Sequence, residues 1–214
     1  MAAVVACDTD LEVDGELIGQ RYVVYDILSK NGQDIRHLDY HNRHVMIPRE
    51  FSPKHFGVGI EVAPLYTGEE YKRARFQEIQ DACGEGVVFK RLGASFTVGR
   101  PSSGGDFLKF KFYATCSCIV VPSAGNRIGR RSVALALHPE AASFTLTPVG
   151  NCTIPNKKVA GELIPIPQHG DVIEVRYLYA YQGGSLYQPT YIGLRDDVDE
   201  YECQMSQLKY KAED

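Results

Sequence analysis

Lys109 and Lys111 stand two residues apart in an apolar run, so on a strand both ammonium groups leave one face and can grip a single phosphate group. Three earlier segments carry groups of matching chemistry. They are Asp14-Gly15-Glu16-Leu17, Tyr22-Val23-Val24-Tyr25-Asp26-Ile27-Leu28 and Glu85-Gly86-Val87-Val88-Phe89-Lys90. The carboxylates of Glu16 and Glu85 can take a ribose hydroxyl or a hard divalent cation, and the Tyr25 ring can stack on a base. Together the four segments describe a nucleotide site made of strand ends. Taken singly, each has an ordinary structural reading: Asp14-Gly15 as a hairpin turn, Tyr25 as a core aromatic, Glu85 as a solvated helix-end residue, and the two lysines as an exposed strand edge. The ordinary readings do not explain the order.

The elements that must position these groups can be traced from pattern. Glu16–Leu28 reads as two strand-like runs broken by Gly19-Gln20, and Lys30-Asn31-Gly32-Gln33 is a turn with glycine placed for positive φ. Asp39 can cap a short helix running to about Val45 and ended by Pro48. The spacing of Phe76, Ile79 and Cys83 predicts a helix over 69–83, stopped by Gly84. Val87-Val88-Phe89 reads as a short buried strand and 108–121 as an alternating one. Beyond Val121, strand-like runs at 132–137, 144–149, 171–181 and 189–194 alternate with Gly/Pro/Asn-rich turns, and no convincing helix follows. A short strand-like run, 207–211, ends the chain. This texture suggests a small closed or partly closed β-barrel, with the division falling near Tyr113.

With 44% hydrophobic residues in 214, the chain can bury a core, and its longest apolar stretches are strand-length, so no membrane span is expected. The N-terminus lacks a basic region and meets acidic residues at once, which argues against a secretory signal. The six cysteines include no C-x-x-C pair and read as reduced thiols, with a cytoplasmic location expected. Cys116 and Cys118 fall on one strand face. The net charge of −4 does not mark a nucleic-acid binder, but 86–131 holds eight basic residues and one acid, Asp106. That tract suggests a phosphate-facing surface, with a solvated basic strand face as the equal alternative.

The four segments in this order resemble the signature motifs of the covalent nucleotidyltransferases, the superfamily of ATP-dependent DNA ligases, RNA ligases and capping enzymes. Asp-Gly-Glu-Leu followed by the Tyr-Asp-Ile-Leu strand looks most like the DNA ligases. The resemblance implies that Glu16 contacts the ribose, Tyr25 stacks on adenine, Glu85 binds the catalytic metal, and Lys109 and Lys111 contact the AMP phosphate. Gln188–Asp197 is similar to the last ligase motif, where Arg195 would orient the ATP pyrophosphate. Gly99-Arg100-Pro101-Ser102-Ser103-Gly104-Gly105 fits a phosphate-proximal loop. The implied fold is α+β: residues 1–113 as a partial adenylation (nucleotidyltransferase) domain with antiparallel sheets, and residues 114–214 as an oligonucleotide-binding (OB) barrel. ATP as AMP donor, Mg²⁺ and nicked duplex DNA are the implied cofactors and partner. Arg100, Arg127, Arg130 and Arg131 are candidates for DNA backbone contacts.

The family's nucleophile is the lysine of a Lys-x-Asp-Gly motif, whose amine attacks the α-phosphate of ATP. The x-Asp-Gly of this sequence is Glu12-Val13-Asp14-Gly15, with glutamate at the lysine position. The chain is therefore expected not to form a lysyl adenylate by itself. Three explanations are open: a start upstream of Met1, a separate chain supplying the missing segment, or a ligase relic. Two rival readings also stand: a barrel that binds DNA without chemistry, and an RNA ligase or capping-type enzyme.

Overall fold

The structure, a computed structural model, describes residues 9–51, 59–99, 105–122, 131–140 and 143–212. It is mostly sheet and divides into two compact units: Met1–Arg75 with Val87–Phe110, and Phe76–Gly86 with Lys111–Asp214.

In the first unit, strands β1 (Leu11–Ile18) and β2 (Arg21–Lys30) form the expected antiparallel hairpin, turned at Gly19 with φ 58°. Asn31 and Gly32, both at positive φ, turn the chain into β3 (Gln33–Asp34), the backbone conformation that an Asn-Gly pair adopts most readily. Helix α1 (Tyr40–Glu50) follows, and β4 (Ile60–Val62) then pairs with β2 in parallel. Val24, Ile27, Ile47, Phe51 and Ile60 make the core. Asp39 caps α1 by accepting from the Asn42 amide, as its position predicts, but Pro48 does not end the helix. Tyr40, Arg43, His44 and Ile47 form one buried face that runs up to the proline, and the Phe51 amide closes the last turn on Ile47. Anchoring of that face outweighs the roughly 3 kcal/mol a proline costs inside a helix.

Helix α2 (Glu69–Asp81) stops two residues earlier than the spacing predicts. Cys83, not Gly84, adopts the left-handed conformation, φ 56°, and the Gly84 amide closes on the Ile79 carbonyl at 2.8 Å. Glycine is needed at 84 for a different reason: a Cβ there would lie 2.5 Å from the Ile79 side chain. Strands β5 (Gly86–Lys90) and β6 (Phe107–Lys111) pair as a two-stranded ribbon. The expected buried strand is half open, with Val88 and Phe89 50% and 44% exposed, because a two-stranded ribbon brings no further strands to cover them. The run expected over 108–121 breaks at Phe112-Tyr113 into β6 and β7 (Ala114–Val121).

In the second unit, β7, β8 (Ser132–Leu137), β9 (Thr147–Thr153), β12 (Val172–Tyr177) and β13 (Thr190–Leu194) close a five-stranded barrel in the order β12-β13-β9-β8-β7. The small hairpin β10 (Lys158–Val159) and β11 (Glu162–Leu163) interrupts it in sequence. Cys118, Leu135, Leu137, Val149, Ile173 and Val175 are fully enclosed in the barrel core. The five described cysteines are free, and Cys116 and Cys118 share a face with their sulfurs 3.5 Å apart. Burial pushes the Cys152 thiol up to about 11 and Cys203 up to about 12, so both remain protonated packing groups.

Three expected barrel boundaries move. The strand expected over 144–149 lies at 147–153, because Phe144 is exposed and the Ser143 and Thr145 hydroxyls bond one another. The run expected over 171–181 leaves the barrel after Tyr177. The tail over 207–211 makes a single bridge, Tyr210 to Ala180, preceded by two short 3-10 turns, Glu200–Glu202 and Met205–Gln207.

His138, at the end of β8, is 5% exposed, and among the described residues neither ring nitrogen has a hydrogen-bond partner. Its ring stacks on Tyr201 with centroids 5.5 Å apart. His138→Phe keeps the stack and removes two unpaired polar atoms, so the thermal midpoint should rise by the equivalent of about 1 kcal/mol. A fall in the midpoint by calorimetry would mean that a nitrogen has a partner.

Candidate nucleotide site

Asp14-Gly15 is not a turn. It lies within β1, opposite a bulge in β2: Asp14 pairs with Asp26 and Gly15 with Val24, leaving Tyr25 as the extra residue. The bulge re-aims the Tyr25 ring, whose hydroxyl donates to Asp14 Oδ1 at 3.4 Å. Burial first, then the Asp14 charge with a smaller push from Glu16, raises the Tyr25 hydroxyl to about 12. Tyr25 therefore stays neutral over the physiological range. A Cβ on Gly15 would sit 2.6 Å from the Val23 carbonyl and 2.9 Å from the Tyr22 ring. Gly15→Ala should therefore destabilise by about 1–3 kcal/mol through overpacking, read as a lowered urea midpoint with unchanged m-value.

The first unit thus brings Glu16 and Tyr25 together, and it adds a residue the motif reading did not single out. The Lys90 ammonium lies 4.2 Å from the Tyr40 ring centroid, 4.6 Å from Tyr25 and 5.1 Å from Phe107. Burial lowers its pKa, against the pull of Asp26 and Asp14. Three rings around one ammonium make a cation–π enclosure, and one of the three is Tyr25, the ring expected to stack on the base. The signal was in the sequence, since Lys90 ends the Glu85–Lys90 segment, but the rings that meet it come from three other elements. Lys109 shares a face of β6 with Lys111 by strand alternation.

In the second unit, Lys111 Nζ lies 3.3 Å from Glu85 Oε1. Pairing at the ribbon's end places them, for the Phe112 amide bonds the Glu85 carbonyl at 2.9 Å. The pair is open to solvent, with side chains 31% and 56% exposed. Arg195 is held elsewhere in the same unit: its guanidinium bonds both Asp197 oxygens (2.7 and 3.0 Å) and Glu174 Oε2 (2.7 Å). These partners push its pKa further up and hold the Asp197 carboxyl below its ordinary value. Arg131 donates through Nε to the Ile154 carbonyl and through Nη2 to the carbonyls of Pro155 and Ile164, so two of its three nitrogens brace the barrel. Arg100, Arg127 and Arg130 lie outside the described residues.

Among the described residues no three His, Cys, Asp or Glu side chains gather in a way that could hold a metal ion, and no helix is long and apolar enough to cross a membrane. Glu12 is paired with Arg36 at 2.9 Å.

No protein-family model and no curated protein matches the sequence. Solved structures do match. A Lig E DNA ligase, described as binding DNA with a minimal scaffold, aligns over 82% of this chain and 63% of its own, with 14% identity and a TM-score of 0.56. Pmar-Lig_Pre aligns over 82% of this chain and 44% of its own at 15% identity, with a TM-score of 0.55. The ligase domain of M. tuberculosis LigD aligns over 92% of this chain and 76% of its own at 19% identity, with a TM-score of 0.43. The chain shares the fold of solved DNA ligase structures. It spans less than two thirds of the Lig E and Pmar-Lig_Pre chains, and at these identities the likeness is one of fold alone.

Proposed function

We propose that this chain handles the adenylate and the DNA ends in an ATP-dependent DNA ligase that seals nicks in duplex DNA. The observation that carries the reading is the Glu85–Lys111 pair at 3.3 Å, formed by two motif residues far apart in sequence. On this reading residues 1–113 belong to the nucleotidyltransferase domain and 114–214 form an OB barrel. The barrel's strand order supports the second assignment: in chain order its strands run 1-2-3-5-4, with β9 and β13 in parallel. Glu16 binds the ribose, Tyr25 stacks on adenine, and Lys109 and Lys111 neutralise the adenylate phosphate. Arg195 is the pyrophosphate contact, which requires exchanging carboxylate partners for phosphate oxygens.

Mg²⁺ is held in such sites by one or two carboxylates together with substrate phosphates. A single open carboxylate, Glu85, fits that role as the one protein ligand among the described residues. Bound there, the ion supplies charge neutralisation at the phosphorus under attack. In the sealing step the 3′-hydroxyl oxygen bonds the 5′-phosphorus, the bond to AMP breaks, and the hydroxyl proton leaves to solvent. Lys111 then faces the charge that develops on the phosphoryl oxygens. No lysine nucleophile is needed for this step. The first step, enzyme adenylation, needs a Lys-x-Asp-Gly that this sequence does not contain, and a separate chain is one source for it.

The experiment follows directly. Full-length protein with Mg²⁺ should convert a 5′-pre-adenylated nicked duplex to sealed product, and Glu85→Gln should abolish it. No product above the uncatalysed background would remove the reading. An RNA nick tested in parallel separates the capping and RNA-ligase alternatives, and nick-independent binding without product would leave a DNA-binding module.

A further inference from the structure

Lys209, near the C-terminus, belongs to none of the motif segments, yet its ammonium donates to two backbone carbonyls, Phe112 at 2.7 Å and Gly84 at 3.2 Å. These carbonyls border the candidate pair. Gly84 immediately precedes Glu85 and Phe112 immediately follows Lys111, while the Phe112 amide closes on the Glu85 carbonyl. Sequence separations of 125 and 97 residues make the contacts long-range.

Lys209 is itself held. Its amide donates to the Tyr177 hydroxyl at 2.8 Å, its carbonyl accepts from Ala180 at 2.8 Å, and Leu208 beside it is packed in the barrel core. Two residues earlier, the Gln207 amide group bonds both the Ser117 amide and carbonyl. A flexible lysine stem is thus anchored on the barrel and ends on the two peptide groups that frame Glu85 and Lys111. Gly84 could not be exchanged to make this frame another way, since a side chain there meets Ile79.

We propose that Lys209 is a positioning residue: it staples the peptide groups at Gly84 and Phe112 and so fixes the separation of Glu85 and Lys111. This rests on the reading of that pair as the site of sealing. Lysine suits the task because one ammonium can donate to two carbonyls at once. It touches no substrate, and its effect on chemistry comes through the placement of the two side chains that do.

The test uses the full chain carrying Lys209→Met, which keeps the length and removes the donors, and Lys209→Arg, which keeps them. On the pre-adenylated nick, Lys209→Met should lower kcat by about 10²-fold, the effect of an ångström-scale misplacement, with KM for the nicked duplex unchanged. Lys209→Arg should restore most of the rate. In ¹H–¹⁵N spectra without substrate, the Glu85 and Tyr113 amides, which share peptide planes with the two carbonyls, should shift in Lys209→Met and return in Lys209→Arg. Wild-type sealing by Lys209→Met overturns the proposal, as do unmoved amides. An equal loss in both variants with a lowered thermal midpoint also overturns it, since that is general destabilisation. If the wild-type chain does not seal, the sealing reading falls separately, and the staple is decided by the amide shifts alone.

Discussion

Arg43→Met should cost on the order of 3–5 kcal/mol of stability, because it strands a buried carboxylate. Arg43 and Asp26 are 0% and 1% exposed, and they meet in a two-bond fork: Nε to Oδ1 at 2.8 Å and Nη2 to Oδ2 at 2.9 Å. The third nitrogen, Nη1, donates to the carbonyls of Leu38, Ala94 (3.4 Å) and Arg36 (3.5 Å), tying α1 to the segment that precedes it and to the loop after β5. Once the guanidinium is gone, the Ile27 amide at 2.9 Å is the donor left to the Asp26 carboxylate among the described residues. The double variant Arg43→Met/Asp26→Leu removes both charges, and a buried pair replaced by apolar groups is often neutral. It should therefore recover much of the loss. Urea unfolding of both singles and the double gives the coupling energy directly. A single Arg43→Met variant within about 1 kcal/mol of wild type would show that Asp26 reaches water or another donor.

This pair also shows where the sequence stops being readable. Asp26 sits in the Tyr-Asp-Ile-Leu strand, visible by its motif, but its partner is 17 residues away on a helix that runs past Pro48, its expected end. Local signals were good where local geometry decides: Gly19-Gln20, Asn31-Gly32, the Asp39 cap and the strand Ser132–Leu137 all fall where spacing and turn chemistry put them. They failed where packing overrides propensity. Cys83 takes the left-handed position that Gly84 was expected to fill, because the tight approach to Ile79 demands glycine one residue later. The bulge at Tyr25 is another such case. Strand alternation alone gives no sign of an extra residue, yet that residue is the aromatic that reaches Asp14.

Tyrosines 177, 179 and 181 illustrate the same limit within one run. Alternation suggests barrel-core residues, and Tyr177 is fully buried, but the strand leaves the barrel there. Tyr179 then stacks on Tyr187 at 4.8 Å while Tyr181 is 45% exposed. The candidate site was legible mainly as motif order, since the spacing of Glu85 and Lys111 carries no geometric message without the β5–β6 pairing that joins them. Lys90 and Lys209 were harder to read, because the groups that meet them come from distant elements: the rings of Tyr25, Tyr40 and Phe107 around one, the Gly84 and Phe112 carbonyls at the other.

Lys111→Met should lower sealing of the pre-adenylated nick by about 10²–10³-fold, the usual loss when one preorganised charge facing a developing oxyanion is removed. Glu85→Gln should fall at least as far. The pair allows a clean measurement because it holds little of the fold together: at 31% and 56% exposure, an ion pair contributes roughly 0–1 kcal/mol. Both variants should therefore melt near the wild-type midpoint while losing the reaction, separating chemistry from folding in a way the buried Asp26–Arg43 pair cannot. Binding gives a second, independent reading. A lysine on a phosphate lowers affinity for all DNA sequences alike and, when removed, reduces the slope of log affinity against log salt by about one. If Lys111→Met seals within a few-fold of wild type, or loses activity only in step with its melting point, then the 3.3 Å contact is an ordinary surface ion pair at a ribbon's end. In that case the four motif segments share a fold without sharing a phosphate.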